Sequence, residues 1–400
     1  MDKDVRQIGL DRVNEMFALA SYAFNVEATE KRKHRFEEII QHSMSYGCFK
    51  NDELVSQLIS TSFKINFHGV KYKMAGIGCV SSYPEYRGDG CVSSIMKVLL
   101  KDLAEQEVSL AYLAPFSYPF YRKYGFEQTF ERIKYTIQAE NWPAATSVSG
   151  TVRRVSWEKA KETIQVIYPK LNKYQRGALI REVWWLDYAF SLTDISYQFA
   201  IYENAKSEVE GYLIYQSSAE LFTIKEWAYL TKNAFQAFSK FVGSHVSSSS
   251  KFYYETGFDG KNLSYLFPAP TIKMEIKPDM MARIIDFSIF LKSYPFLKGK
   301  QEVYYLEIKD DYGFWNDGKW EVNIDEAGQA SVKKITTEAN ISSYNKNIVS
   351  GSIQSWTQLF MGYQSTNELY FQDKLLGIEE LVYSFGGRIP KGKPILEDHF

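Results

Sequence analysis

The feature that most constrains the fold is a predicted strand hairpin that leads through a glycine-bearing loop straight into an amphipathic helix. Leu54 to Phe67 and Val70 to Ser81 are predicted strands, joined by a tight turn at His68-Gly69. The loop contains Arg87-Gly-Asp-Gly90. From Cys91 to Gln106, apolar residues recur at the three- and four-residue spacing of a helix with one buried face. This order of elements predicts a sheet with a helix packed on it.

The rest of the first third of the chain continues to alternate helices and strands. Asp11 to Phe24 and Thr29 to His42 are predicted helices, and the second is the more polar. Val108 to Pro115 is a predicted buried strand, and Phe120 to Tyr124 is a short helix that ends at Gly125. Alternation of this kind is typical of mixed α/β layers, so we expect an α/β fold.

A length of 400 residues predicts more than one domain. The Pro-, Gly- and Ser-bearing stretch Asn141 to Gly150 is a plausible boundary, and the segment after it repeats the order helix, strands, helix. A third segment has turn signals at Asn316 to Gly318 between short strands, then a helix from Ser352 to Met361, one further helix and a tail. The predicted domains are residues 1–145, 146–285 and 286–400.

Composition excludes several classes of function. The net charge of −1 gives no field that would attract nucleic acid, and the basic run Lys31 to Arg35 is followed at once by acidic residues. Cys48, Cys79 and Cys91 lack metal-ligand spacing and predict neither a disulfide framework nor a metal site. No stretch resembles a signal peptide or a membrane span, so we expect a cytoplasmic protein without a membrane partner.

The glycine loop has the chemistry of an anion site. Glycines let a backbone turn tightly and approach a ligand closely, and the first N–H groups of the following helix have no partner within that helix. The loop lacks the Gly-Lys-[Ser/Thr] of a nucleotide-binding P-loop, and Ser93 stands where a dinucleotide motif would have its third glycine. What remains is Arg-x-x-Gly from Arg87 to Gly90, which is equally compatible with an ordinary surface turn.

A second motif follows the next strand. The sequence Phe120-Tyr121-Arg-Lys-Tyr-Gly125-Phe126 has the form Phe-Tyr-x-x-x-Gly-Phe. Taken alone, Tyr121 is also compatible with a core aromatic. The two motifs in this order resemble the pyrophosphate loop and the catalytic-tyrosine segment of the GNAT acetyltransferases, although Val92 departs from the small residue usual at that place.

The layout of the whole chain resembles the Eis (enhanced intracellular survival) group of GNAT enzymes. The resemblance implies tandem GNAT-like mixed α/β domains followed by a C-terminal sterol-carrier-protein-like α+β domain. The second domain carries neither motif and is predicted not to bind CoA. In that group the chain ends on an aromatic residue whose carboxylate reaches the active site, and this chain ends at Phe400. The resemblance also implies a homohexamer.

The resemblance assigns roles to individual residues. Tyr121 would be the general acid and the Phe400 carboxylate the general base, with acetyl-CoA as co-substrate and no metal. Phe116 is bulkier than the small residue expected beside the thioester. The implied contacts run from the pantetheine arm through the pyrophosphate loop to the thioester: Val80, Ser81, Ser82, Arg87, Gly88, Asp89, Gly90, Cys91, Val92, Ser93, Phe116 and Ser117.

Three questions stay open from the sequence. The acceptor is a small-molecule or lysine amine, and an aminoglycoside, a polyamine, an arylalkylamine and a protein lysine are all compatible. The acidic residues Glu27, Glu397 and Asp398 would favour a cationic acceptor or are simply exposed acids. His399 is an alternative to the Phe400 carboxylate as general base. The alternatives to an enzyme are an apolar-ligand or lipid binder that uses the third domain, and an interaction protein with a degenerate site.

Overall fold

A computed structural model describes residues 3–143, 148–267, 272–336 and 347–400. The predicted boundary between residues 145 and 146 lies outside these ranges. The chain divides into two compact units. One contains the residues up to Thr129 together with Asp279–Pro394 and His399–Phe400, and the other contains Phe130–Pro278 and Ile395–Asp398. Each unit is therefore assembled from separate stretches of sequence.

The described strands, in chain order, are β1 (Asp4–Ile8), β2 (Ser43–Lys50), β3 (Glu53–Phe67), β4 (Val70–Ser82), β5 (Leu110–Leu113), β6 (Glu127–Gln128), β7 (Glu131–Gln138), β8 (Thr151–Val155), β9 (Arg176–Leu179), β10 (Gln198–Glu203), β11 (Val209–Ser217), β12 (Leu221–Tyr229), β13 (Lys251–Gly257), β14 (Lys273–Pro278), β15 (Met281–Ile284), β16 (Glu302–Lys309), β17 (Gly318–Ile324), β18 (Ala330–Lys334), β19 (Ile348–Ser352) and β20 (Leu375–Leu376). The described α-helices are α1 (Val13–Phe24), α2 (Glu30–Gln41), α3 (Cys91–Glu105), α4 (Tyr118–Arg122), α5 (Trp157–Ile167), α6 (Val183–Phe190), α7 (Lys232–Gly243), α8 (Phe287–Lys292), α9 (Ile353–Phe360), α10 (Thr366–Phe371) and α11 (Glu379–Gly386).

The main sheet of the first unit has the strand order β1-β2-β3-β4-β5-β15-β6. The predicted hairpin is confirmed, since β3 and β4 pair antiparallel and Phe67 lies opposite Val70. β15 lies between β5 and β6, although the sequence prediction placed residues 281–284 in the second segment. A strand of four residues has too little pattern to show from sequence alone which sheet it joins.

Helices cover both faces of this sheet. Because side chains alternate along a strand, neighbouring residues of β3 serve different cores. Leu58 belongs to the cluster that α3 completes, in which Ile95, Leu99 and Leu103 are buried. Ile59 belongs to the cluster formed with α1 and α2. The strong helical periodicity of α3 thus fixes it against one face of the sheet.

The two strands that carry the site separate at one end. β4 pairs parallel with β5 only from Met74 to Ile77, yet it continues to Ser82. On its other side, the register with β3 shifts between Ile59–Gly78 and Gln57–Ser81, which leaves one extra residue in β4. Cys79 has a φ of 53° in this bulge. β-Bulges bend a strand and free backbone groups from pairing.

A second sheet in the first unit is built from the C-terminal third of the chain, in the order β18-β17-β16-β19-β20. The predicted helix at Ser352 is α9, capped by the Ser352 side chain. The sequence predicted one helix after it, and the structure has two, because Ser365 forms a capping box that starts α10 and Gly377 with a φ of 156° precedes α11.

The second unit has its own sheet, in the order β14-β7-β13-β12-β11-β10-β8, with α5 and α7 packed on different sets of its residues. Its core also takes in Ile395, close to the chain's end. Across the described residues of both units, no helix combines the length and apolar character needed to cross a membrane.

Candidate active site

A cavity of about 670 Å³ lies in the first unit, where α3 begins and β4 leaves β5. Of the twelve predicted cofactor contacts, Asp89 and Ser117 are not part of its lining. The other ten line it: Val80, Ser81, Ser82, Arg87, Gly88, Gly90, Cys91, Val92, Ser93 and Phe116. Ala23, Phe24, Tyr86 and Lys123 line it without having been predicted, as does Phe120 of the second motif.

The loop before α3 has the backbone that the glycines predicted. Gly88 and Gly90 have φ values of 91° and 81°, a conformation that other residues rarely adopt. A Cβ atom added to either would meet nothing within 4 Å, so conformation rather than crowding requires glycine there. Gly90 is the N-cap of α3, without a side-chain cap. The N–H groups of Cys91, Val92 and Ser93 have no intrahelical acceptor, and all three residues line the cavity.

Positive charge is placed beside these N–H groups. The Lys123 ammonium lies 4.4 Å and 4.6 Å from the ring centroids of Phe120 and Tyr124, within cation–π range. It is also 3.5 Å from the Ser93 hydroxyl, which is itself 2.7 Å from the Tyr124 hydroxyl. Arg87 supplies a second cation, and the described lining contains no carboxylate. The cavity is therefore suited to an anionic ligand.

The wall formed by β4 offers backbone polar groups. Beyond Ile77, no described strand pairs with β4 on the β5 side, although Val80, Ser81 and Ser82 continue along the cavity. The Ser81 hydroxyl donates to the Cys79 carbonyl at 3.1 Å, and the Ser82 and Ser56 hydroxyls are 2.7 Å apart. An extended ligand with amide groups would find partners along this edge.

Tyr121 is 2% exposed and does not itself line the cavity. Its ring makes edge contacts with Phe116 and Phe120, at centroid distances of 5.4 Å and 5.0 Å, and both of these residues do line it. Burial, with a smaller contribution from Tyr124, raises the pKa of the Tyr121 phenol above its usual value. The phenol therefore keeps its proton at neutral pH.

The chain's last residue lies in a seat made by two glycines of β4. A Cβ atom at Gly76 would be 2.7 Å from the Phe400 ring, which also packs on Phe63 with centroids 5.0 Å apart. A Cβ atom at Gly78 would be 3.4 Å from the carboxyl carbon of Phe400. The ring thus lies over Gly76 and the carboxylate over Gly78. The direction from ring to carboxylate follows β4 toward Val80, at the cavity wall.

The residues just before Phe400 do not behave as the sequence suggested. Glu397 and Asp398 are each 5% exposed, so the prediction that they are exposed acids or attract a cationic acceptor is wrong. Within the second unit, Asp398 accepts hydrogen bonds from Arg181 at 3.0 Å and from the Trp185 indole at 2.7 Å. Glu397 pairs with Arg132 at 3.6 Å. Their charges are already neutralised by these partners.

The other candidate groups for proton transfer or covalent chemistry fit less well. His399 is 58% exposed, with Nε2 4.0 Å from Asp279 Oδ1. Burial, opposed by hydrogen bonds with Gln57 and Ser81, raises the pKa of the Cys79 thiol to about 12, so it is not a thiolate at neutral pH. Within the described ranges, no three His, Cys, Asp or Glu residues are grouped as metal ligands would be.

Comparison with known proteins places the chain in a family. Residues 4–129 and 177–284 match two families that are both described as "Acetyltransferase (GNAT) domain", and residues 288–397 match "Sterol carrier protein domain". A protein from Enterococcus faecalis V583 is 48% identical and has a TM-score of 0.96, with 100% of this chain and 99% of that one covered. It is described as a conserved protein of unknown function and probable N-acyltransferase. The chain belongs to the GNAT acetyltransferases.

Two more distant structures show the same fold as this acetyltransferase over the whole chain. A GCN5-related N-acetyltransferase from Anabaena variabilis has a TM-score of 0.86 at 19% identity, with 100% of each chain covered. Eis1 from Mycobacterium abscessus has a TM-score of 0.77 at 15% identity, with 99% of this chain and 100% of that one covered. No curated protein matches in sequence. The predicted Eis-like layout and fold class are confirmed.

Proposed function

We propose that the acetyltransferase moves an acetyl group from acetyl-CoA to a primary amine, by direct transfer in a ternary complex. The observation that carries this proposal is the cavity itself. One end has the open N-terminus of α3, two glycines in left-handed conformation and Lys123. The wall that leads away from it is the unpaired edge of β4. Acetyl-CoA carries the complementary groups in the same order: a pyrophosphate, followed by the amide-rich pantetheine arm.

The residues divide by the part of acetyl-CoA that they would hold. Backbone groups from Gly88 to Ser93, Asp89 included, would bind the pyrophosphate, with Arg87 adding charge. Val80, Ser81 and Ser82 would bind the pantetheine arm. Phe116 and Ser117 would lie beside the thioester. A volume of about 670 Å³ is within the usual range for small-molecule sites. The co-substrate supplies an activated acyl group whose leaving group is a thiolate.

In the proposed reaction, the acceptor nitrogen attacks the thioester carbonyl, a C–N bond forms and the C–S bond breaks. A primary amine is mostly protonated at neutral pH, so a base must remove a proton. The Phe400 carboxylate is assigned that role, and its seat over Gly78 supports the assignment. Tyr121 gives its proton to the departing thiolate and takes up the second proton that the nitrogen loses as the amide forms. The raised pKa of its phenol favours the protonated form at neutral pH.

The acceptor remains a small-molecule or lysine amine. The described cavity lining has no carboxylate to select a polycation, and two exposed aromatic rings, Phe24 and Phe116, stand at the cavity. Aromatic faces attract an ammonium group without requiring further charge. We therefore keep arylalkylamines, polyamines, aminoglycosides and lysine side chains as acceptors to be tested together.

Further proposals concern the setting of the enzyme. We propose that residues 1–145, 146–285 and 286–400 act as the catalytic domain, a GNAT-like domain that does not bind CoA, and a sterol-carrier-like domain. Three free cysteines suit a reducing cytoplasm. A homohexamer is proposed from the family resemblance and from the prevalence of closed symmetric assemblies. Light scattering that gives a monomer mass would contradict the last proposal.

Calorimetry with two ligands tests the binding assignment. If Lys123 contacts the pyrophosphate beside Ser93, Lys123→Met weakens acetyl-CoA and acetyl-3′-dephospho-CoA by the same factor, about tenfold, the size of a charge-assisted hydrogen bond. Lys97→Met is the control, because Lys97 is exposed on α3 and does not line the cavity. Failure of the wild type to bind acetyl-CoA would overturn the function. Unchanged affinity in Lys123→Met would overturn the pyrophosphate contact alone.

A further inference from the structure

The turn that carries Tyr121 ends in a specific pattern of hydrogen bonds. Gly125 has a φ of 85°, and its N–H donates to the Arg122 carbonyl at 2.9 Å. The N–H of Phe126 donates to the Tyr121 carbonyl at 3.3 Å. These two bonds form a Schellman motif, which closes α4 behind Tyr121. The motif leaves the Tyr124 carbonyl without a partner inside the turn.

Arg283 supplies that partner. It lies on β15 with 0% exposure, and its Nη1 donates to the Tyr124 carbonyl. Its Nη2 donates to both carboxylate oxygens of Asp310, at 2.9 Å and 2.7 Å. Asp310 directly follows β16 and is itself fixed by the Gly313 N–H at 2.9 Å and by the Asn316 amide at 3.0 Å. Asp310 thus fixes the orientation of the guanidinium, and the guanidinium in turn binds the Tyr124 carbonyl.

The glycine of the second motif has a purpose in this contact beyond its conformation. A Cβ atom added to Gly125 would collide with Arg283 Nη1 and lie 3.0 Å from Ile353 Cγ2. A Cβ atom added to Gly313 would be 2.7 Å from Arg283 Nη2. Both glycines therefore leave room for the guanidinium. The glycine of the Phe-Tyr-x-x-x-Gly-Phe motif is needed here so that Arg283 can reach the turn that follows Tyr121.

Two further contacts reach the same turn from the C-terminal third of the chain. The Gln354 side chain of α9 donates to the Arg122 carbonyl at 2.9 Å. The Tyr312 ring makes an edge contact with Tyr124, with centroids 5.0 Å apart. Together with Arg283, these two residues contact the turn at residues 122–125, so the turn that follows Tyr121 packs against the C-terminal third of the chain.

A buried ion pair is a costly way to fill a core. Desolvation offsets much of the attraction, and apolar side chains of similar volume are often as stabilising. Here Arg283 Nε has no hydrogen-bond partner among the described residues, which adds to that cost. The pair does, however, fix the direction of a carbonyl with a charge-assisted bond, which an apolar side chain does not do.

We propose that Arg283 is a positioning residue for Tyr121, with Asp310 holding it, so that the C-terminal third of the chain sets the geometry of proton donation. The inference rests on the proposed role of Tyr121 as general acid. Without Arg283, the Tyr124 carbonyl loses its anchor and the turn has more than one orientation. The glycine loop and α3 keep their own hydrogen bonds, so acetyl-CoA still binds, and any loss of affinity is limited to the contact of Lys123, which lies in the same turn.

A double-mutant cycle tests the proposal. Arg283→Lys keeps a charge beside Asp310 but loses the fork that bonds both partners, so kcat at saturating acetyl-CoA falls about 10–100-fold, while acetyl-CoA affinity falls by no more than the roughly tenfold expected of Lys123→Met. In a Tyr121→Phe background the same change costs little further turnover, because Arg283 acts through Tyr121. The alkaline limb of kcat also moves to lower pH as the phenol becomes more exposed.

Arg388→Lys is the matched control. Arg388 is a buried arginine of the same C-terminal part and donates to the Leu297 and Lys300 carbonyls, away from α4. It should lower thermal stability while kcat and the alkaline limb stay as in the wild type. A normal kcat and pH profile in Arg283→Lys, or equal losses in the presence and absence of the Tyr121 hydroxyl, would overturn the inference. Normal turnover in Tyr121→Phe itself would overturn the proposed acid role as well.

Discussion

Tyr121 is the residue on which the proposed chemistry most depends. Its ring is enclosed by Phe116, Phe120 and Phe126, with centroid distances between 5.0 Å and 6.4 Å. An apolar enclosure disfavours the phenolate, which is why the pKa of Tyr121 is raised. A donor of this kind stays protonated through neutral pH. Because a thiolate is a weaker base than a phenolate, the transfer to sulfur must be completed by a second proton, the one that the amine nitrogen loses, which restores the phenol.

This gives a pH dependence with a definite sign. The acid works in its protonated form, so kcat should be constant through neutral pH and fall only as pH rises through the raised pKa, above the usual tyrosine value of about 10. Tyr121→Phe should lower turnover about 100-fold or more and remove that alkaline limb, with acetyl-CoA affinity unchanged. Steady-state rates across pH give the first result, and calorimetry gives the second. An unchanged limb in Tyr121→Phe would assign the ionisation to another group.

At this scale the sequence predicted residues that belong to motifs and missed those that depend on geometry. The loop glycines and Tyr121 stand in recognisable patterns. For Lys123 the sequence holds a weak indication, because Phe120 lies three residues before it and Tyr124 one residue after it. A short helix and its turn bring both rings to the Lys123 ammonium. For Phe24 the sequence holds no such indication, because its place at the cavity depends on how the end of α1 packs on the sheet.

At the scale of elements, β4 does the most to shape the site. Its middle residues pair on both sides, and beyond Ile77 it pairs with β3 alone, apart from the bulge at Cys79. Gly76 and Gly78 point to one face, since they are two residues apart on a strand, and together they make room for Phe400. The alternating glycines were visible in the sequence, but the residue that occupies their groove is more than 300 positions away.

The seat makes a prediction about the chain's end. Adding one glycine after Phe400 moves the terminal carboxylate by about 3.5 Å, so turnover should fall steeply, whereas His399→Ala should have little effect. Amine-dependent release of CoA measures both. The reverse pattern would make His399 the base. Full activity in both variants would mean that the tail takes no part in proton transfer.

Two substitutions in β4 serve as an internal control for the same claim. Gly76→Ala places a methyl group 2.7 Å from the rings of both Phe400 and Phe63, so this packed pair of rings must shift, the Phe400 carboxylate is displaced with it, and turnover should fall. Gly78→Ala meets the carboxyl carbon at an ordinary contact distance of 3.4 Å and should be milder. Equal effects of the two substitutions would argue that strand stability, and not the seat, is responsible.

For the elements themselves, strong periodicity was a good guide. The helices α1 and α3 begin and end within about two residues of the prediction, because each has a continuous apolar stripe. β2 was not predicted, because its residues, which begin with Ser43, Met44 and Ser45, do not alternate clearly between polar and apolar. Its conformation is fixed by pairing with β1 on one side and β3 on the other. Tertiary pairing often decides such strands.

At the scale of the whole molecule, the sequence predicted the layout of three segments, and the structure shows how those segments are shared between two compact units. Residues 281–284 complete a sheet begun near the N-terminus, and Ile395–Asp398 belong to a different unit from Phe400. Which unit such a short segment joins depends on contacts between residues that are more than a hundred positions apart in the sequence. The burial of Glu397 and Asp398 is one example, since nothing local distinguishes them from surface acids.

The central claim is that acetyl-CoA is consumed by transfer to an amine in this cavity. The most direct measurement is the release of free CoA thiol on mixing the protein and acetyl-CoA with a panel of aminoglycoside, polyamine, arylalkylamine and lysine-peptide acceptors, with mass spectrometry of each amine. The account predicts release that depends on at least one amine, equals the acetylated amine mole for mole, and is lost in Gly90→Pro, because proline cannot adopt the φ of 81° found there. Release without an amine, or an unchanged rate in Gly90→Pro, would contradict it.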